Sequence, residues 1–254
     1  MTKYFIIIAV LAVLSMVVLV GCSTAKAVLS SSRTYEIKSD VHSLNVEIGA
    51  AEFTIIEDDE FRVESNLKYL TVEEKGGVLT VVEDTKFNVG LGYNNAELKL
   101  YIPKNIKFEK ADITTGAAKF NADTLSAKTL KLNTGAGKTE FDFLEVSEKA
   151  NIKGGAGEIS INDGTLNNLN LNLGVGELNM TAELKGKNDL KFGVGQSDLT
   201  LLGDKSDYCL NITNGVGRIT VDGASSATYA NSGNGENTVN VKGGVGTTNI
   251  SFAK

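Results

Sequence analysis

A Gly-x-Gly turn repeated at near-constant spacing constrains this chain more than any other feature. Its first glycines are Gly116, Gly135, Gly155, Gly174, Gly193, Gly215 and Gly244, with successive gaps of 19, 20, 19, 19, 22 and 29 residues. The second glycines are Gly137, Gly157, Gly176, Gly195, Gly217 and Gly246, with Ala118 in the first copy. A fixed period near 19 predicts a solenoid, one short unit stacked on itself many times.

Aligned on the first glycine, the copies show strand chemistry. Three residues earlier stand Ile113, Leu132, Ile152, Leu171, Leu190, Ile212 and Val241. Five earlier stand Ala111, Leu130, Ala150, Leu169, Asn188, Leu210 and Val239, and the residues between are mostly polar. This period-two alternation predicts a strand with one buried face. A second strand follows the turn, with Phe120, Ile159, Leu178, Leu199, Ile219 and Ile250 on its apolar face.

Two readings of the turn compete. A hairpin tip would give an antiparallel meander, but such tips favour Asn-Gly or Asp-Gly. Here the central residue is always Ala or Val, from Ala117 to Val245. That favours a solenoid corner whose central side chain points inward and whose glycines let neighbouring turns stack closely. One coil alone cannot offset the entropy of ordering its backbone, so the copies must stack, and the two ends need protection.

The N-terminus reads differently. Residues 1–21, MTKYFIIIAVLAVLSMVVLVG, carry one positive charge before an apolar run too short to span a membrane comfortably. The run ends in Leu19-Val20-Gly21-Cys22, which resembles the bacterial lipoprotein signal, cut before the cysteine. Cys22 is then the lipidated residue, 22–33 a tether, and the protein is held on the cell membrane or outer membrane, outside the cytoplasm. With Cys22 modified, Cys209 has no partner for an internal disulfide; its neighbours place it on the outer face of its strand.

The solenoid domain is expected over 34–254, irregular over 34–110 and regular over 111–254. The first half holds one further copy of the unit, Leu44, Val46, Gly49, Ala50, Ala51, Phe53 and Ile55. Lys75-Gly76-Gly77 reads as a hairpin turn, residues 88–95 as a loop carrying Tyr93, and Pro103 as a strand end. Three residues after each first glycine, Lys119, Lys138, Glu158, Glu177, Gln196 and Arg218 should form a stacked column, with Lys138 meeting Glu158. Asn133, Asn151, Asn170, Asn172, Asn211 and Asn240 should form amide ladders.

The lipoprotein leader, the ELKLYIP segment and units such as ITTGAAKF, LKLNTGAGKT and LNLGVGEL resemble the bacterial putative adhesin family of β-strand-repeat envelope proteins, over roughly 34–254. The resemblance implies a right-handed, single-stranded β-helix on the cell surface, with a role in adhesion or envelope response and no catalytic residues.

Catalytic patterns are weak. Gly135-Ala136-Gly137-Lys138-Thr139 looks like the end of a phosphate-binding loop, but Leu132 stands where another glycine is required. Gly154-Gly155-Ala156-Gly157 and Gly243-Gly244-Val245-Gly246 approach a calcium-binding repeat, yet Ile159 and Thr248 occupy the aspartate position. His42 is the only histidine, so Cys/His metal clusters are ruled out. The formal charge of −6, which becomes more negative without the leader, argues against nucleic acid as a partner. The reading is therefore a lipid-anchored, non-catalytic binding or adhesion module, without cofactor or metal, whose ligand is a protein or glycan. The alternatives are a structural or regulatory envelope protein binding a membrane partner, or a polysaccharide-active β-helix enzyme.

Overall fold

In a computed structural model the chain is described for residues 29–84, 95–225, 230–232 and 235–254. The leader, Cys22, Tyr93 and the loop around it lie outside the described residues. The fold is an all-β solenoid. Its strands are β1 (Leu29–Glu36), β2 (Ser43–Ile48), β3 (Glu52–Asp58), β4 (Arg62–Leu67), β5 (Leu70–Lys75), β6 (Val78–Glu83), β7 (Glu97–Pro103), β8 (Phe108–Ile161) and β9 (Gly164–Asn167). They continue as β10 (Asn170–Lys185), β11 (Lys187–Leu202), β12 (Tyr208–Thr213), β13 (Val216–Val221), β14 (Ala224–Ser225), β15 (Ala230–Ser232), β16 (Asn237–Lys242) and β17 (Val245–Ala253).

The repeats stack in parallel and in register. Leu171 and Gly176 of β10 pair with Ile152 and Gly157 of β8, and with Leu190 and Gly195 of β11. β8, β10 and β11 run through their glycine corners without a break, so the backbone ladder continues around the bend. The copy in the first half takes the same place: Leu44 pairs with Ala111 and Phe53 with Phe120. Inward residues of all coils form one continuous core. Its aromatic part is packed by volume exchange between two inward columns. Phe53 stacks on Phe120 with centroids 4.6 Å apart, and Phe120 meets Phe141 edge-on at 5.3 Å. Thr139 lies one period after Phe120, and Ala122 one period before Phe141. Small residues thus make room for rings in the adjacent coil, which keeps the interior dense.

The coils do not stack in chain order. β16 and β17 lie between β11 on one side and β12 and β13 on the other, all parallel. The C-terminal copy therefore occupies the penultimate position, and the copy around Gly215 is outermost. The outer edges of β13 and β12 are covered by the short antiparallel strands β14 and β15. At the other end, β6 and β7 stack on β2 and β3, and antiparallel β5, β4 and β1 close the stack. Both ends thus switch to antiparallel pairing, which protects their edges from further parallel growth.

The buried Asn188 holds the insertion point. Its Oδ1 accepts the Leu169 N–H at 3.0 Å, and its Nδ2 donates to the Lys185, Gly186 and Thr238 carbonyls at 3.2–3.4 Å. Two polar ladders on the outside repeat the same logic. Asn211 donates to Asn240, which donates to Asp189; Thr220 donates to Asn249, which donates to Asp198. Among the asparagines expected to ladder, Asn211 and Asn240 do so, whereas Asn133 bonds to Thr114 and Asn172 to Asn170.

Candidate functional site: the glycine corner

Each coil turns at its Gly-x-Gly unit with the glycine backbones in close contact. Gly137, Gly157, Gly176, Gly195 and Gly246 have φ of 128–150°, where a side chain is strained. A Cβ on Gly176 would collide with the Gly157 carbonyl, and one on Gly195 with the Gly176 carbonyl. The first glycines are equally tight: Gly135 lies on Gly116, Gly155 on Gly135, Gly174 on Gly155 and Gly193 on Gly174. Gly244 lies on Gly193, and Gly215 and Gly217 lie on Gly244 and Gly246. All of the turn glycines singled out in the sequence thus fall on one corner of the rod.

The central residue does not point inward as expected. Val175, Val194, Val245 and Val216 are 57%, 49%, 51% and 76% exposed, and Ala117, Ala136 and Ala156 are exposed too. The cause is the pleat together with the tightness of the bend. The inward side of the arc is closed by backbone and by side chains such as Ile159 and Leu173, so the middle Cβ is directed outward. Adjacent valines are directly paired: Val175 with Val194, Val194 with Val245, Val245 with Val216. The corner is therefore an apolar ridge.

On the side away from Gly116, the first corner meets Glu83 at the end of β6. Glu83 is 4% exposed. Its Oε2 accepts the Gly49 and Ala50 N–H groups at 2.7 and 3.2 Å.

Charges flank the ridge. Glu52 pairs with Lys119 at 2.7 Å, and Lys138 bridges Glu140 at 3.1 Å and Glu158 at 3.5 Å. The Lys138 ammonium holds the Glu140 carboxyl below its ordinary range, and Glu140 in turn raises Lys138. Glu158 and Glu177 stand in adjacent coils. Farther along, Lys153, Lys191, Lys242 and Arg218 make no ion pair among the described residues.

The other motifs lie in scaffold. The phosphate-loop look-alike is continuous strand, with Thr139 buried and Lys138 held by glutamates. Ile159 and Thr248 face the core where a calcium repeat needs aspartate. His42 lies half-exposed, 3.7 Å from Glu109. In the acidic run Glu57-Asp58-Asp59-Glu60, Asp58 pairs with Arg62 and Asp59 with Lys104. Among the described residues no group of three metal-ligating side chains converges, and no helix is long and apolar enough to cross a membrane. A polar depression of about 410 Å³, lined by Glu183, Asp207, Tyr208 and Glu236, opens near the C-terminal end. Cys209 is half-buried and free.

The Toastrack DUF4097 family matches residues 34–251. No curated protein matches the chain. Several solved structures are similar to it. A putative adhesin from Parabacteroides distasonis is 14% identical, with 91% of this chain and 99% of that one covered and a TM-score of 0.46. A putative cell adhesion protein from Clostridium sporogenes is 17% identical, with 88% and 99% covered and a TM-score of 0.36. A putative lipid binding protein from Parabacteroides distasonis is 14% identical, with 88% and 97% covered and a TM-score of 0.35.

Proposed function

Since this chain belongs to the Toastrack DUF4097 family, we propose that it is a lipid-anchored, non-catalytic module of the cell surface that binds through its glycine corner. One observation carries this reading: the corner places its valines in an unbroken outward row on a rigid scaffold. Single exposed apolar residues are ordinary, but an aligned series is the mark of a contact surface. Anchoring is supported by Leu19-Val20-Gly21-Cys22 behind an apolar run. A diacylglycerol thioether plus an N-terminal acyl chain would give the two or three hydrocarbon chains that stable attachment requires.

A photo-crosslinking residue at Val194 in the full-length protein, expressed in its own cells, tests the binding surface. Adducts are expected from position 194 and not from Ser147, which is exposed on a different part of the coil. Equal yields at the two positions would remove the corner as the binding surface. For the anchor, Cys22→Ala should abolish incorporation of labelled fatty acid; equal labelling of variant and parent would remove the lipoprotein reading.

A further inference from the structure

The exposed large hydrophobic residues of the described chain are Leu29, Tyr69, Val175, Val194, Val216 and Val245. All six fall on the same corner. Leu29 pairs with Leu67, and Ser65, two residues before Leu67 on β4, pairs with Leu98, which pairs with Phe53. Following that register, Leu29 stands over Ala51, two residues after Gly49. Tyr69 lies in the β4–β5 turn, and its carbonyl accepts the N–H of Asp84, the residue after Glu83. That turn crosses the stack in line with Gly49 and Ala50. Exposed apolar side chains therefore stand at both ends of this corner, with the row interrupted at Ala50, which is buried, and with coils about 4.8 Å apart.

The charges along it are uneven. In the last three coils the corner, taken from two residues before the first glycine to three after it, holds Lys191, Lys242 and Arg218 and no acidic residue. This is the reverse of the chain's net charge of −6. The described chain also starts on this corner. If Cys22 is the anchored residue, seven residue steps separate it from Leu29, which limits the anchor to within roughly 25 Å of this end of the corner.

We propose that the glycine corner lies against the anionic lipid surface of the membrane, with the valines at the level of the headgroups and Lys191, Lys242 and Arg218 on lipid phosphates. The proposal rests on the anchored, corner-binding reading above and names the partner. An apolar strip edged by cations is the pattern of an interfacial membrane contact. The ladders run unbroken through the corners of β8, β10 and β11 and leave few N–H or C=O groups to desolvate there, whereas the last two coils break between Thr213 and Val216 and between Lys242 and Val245. A second copy fits less well: corners packed in parallel would set Lys191 and Lys242 against their own counterparts.

The test uses full-length protein purified from membranes, with Cys209→Ser and Val194→Cys, labelled with a polarity-sensitive dye. It is reconstituted into vesicles of phosphatidylcholine with or without about 30% phosphatidylglycerol. The dye should shift to the blue and be quenched by brominated lipid several-fold more than the same dye at Ser147→Cys, in the anionic vesicles above all. Combined Lys191→Glu, Lys242→Glu and Arg218→Glu should bring that quenching down to the Ser147 level. Vesicle-bound protein with equal quenching at both sites would overturn the proposal and leave the anchor standing. Self-quenching between Val194 dyes that falls on dilution into more lipid, without bromine quenching, would assign the corner to a second copy and also overturn it. Protein that does not float with vesicles and reacts with dye at Cys22 would overturn the anchor. The soluble protein is then mixed with anionic vesicles: quenching at position 194 upholds the corner contact, and its absence ends it.

Discussion

The Asn188 Oδ1 accepts the Leu169 N–H at 3.0 Å from inside the core, at a position that other coils fill with Ala, Leu or Val. The same amide holds the inserted coil through the Thr238 carbonyl. Asn188→Leu would restore the apolar template and leave these groups without their partner. Its cost is expected to be about 1–3 kcal/mol, the penalty of buried unsatisfied polar groups, measured by urea unfolding. A gain in stability would show that the amide is dispensable.

The corner gives a paired prediction. Gly176→Val drives a side chain into the Gly157 backbone at a φ of 148°. It should cost roughly 3 kcal/mol or more, whereas Asn170→Val on the exposed flank should stay under about 1 kcal/mol. Val175→Ser should also be nearly neutral, because that side chain faces solvent. A large loss for Val175→Ser in denaturant unfolding would contradict the outward corner.

Glu83→Ala should open the first corner. The Gly49 and Ala50 N–H groups lose a charged acceptor, a loss of about 1.5–3 kcal/mol. Glu83→Gln keeps a carbonyl oxygen and should recover part of it. Hydrogen exchange at Gly49 and Ala50 is the direct readout, with faster exchange expected in the alanine variant than in the glutamine one.

Tyr208 gives a pH dependence. Burial, first among its causes, pushes the phenol above its ordinary value of 10.0. Its hydroxyl donates to the Leu202 carbonyl at 2.5 Å and accepts the Leu184 N–H at 3.3 Å. With the folded value raised, its contribution is complete below pH 10 and falls as pH rises through the folded value. Tyr208→Phe should lower Tm at neutral pH and flatten the alkaline part of the stability curve. An unchanged alkaline slope would mean that Tyr208 does not titrate with unfolding.

The sequence made the coil legible where one residue sufficed to place it. Ile152, Leu171 and Leu190 alternate with polar neighbours, and Gly157, Gly176 and Gly195 mark the bend, so strands and corner could be read directly. The direction of Val175 could not be read this way. A small apolar residue suits either side of a corner, and only the closed backbone inside the arc decides. Nor could the stacking order be read, because every copy fits the same template. The order shows only in pairwise contacts such as Asn240 donating to Asp189 and Asn249 to Asp198, across residues about fifty apart. The gaps of 22 and 29 residues were the visible trace of that detour. The end strands β14 and β15 lie in polar sequence that carries no alternation.

Inserting β16 and β17 beneath β12 and β13 has a consequence for how the molecule is made. A ribosome delivers residues 208–221 before residues 237–253, yet the later segment belongs closer to the centre. Growth of the stack cannot simply follow synthesis to its end. Residues 208–221 must stay undocked until residues 237–253 have emerged, or dock on β11 first and be displaced. A nascent chain arrested just before residue 237 would hold either a bare β11 edge or residues 208–221 docked in a place they must later leave.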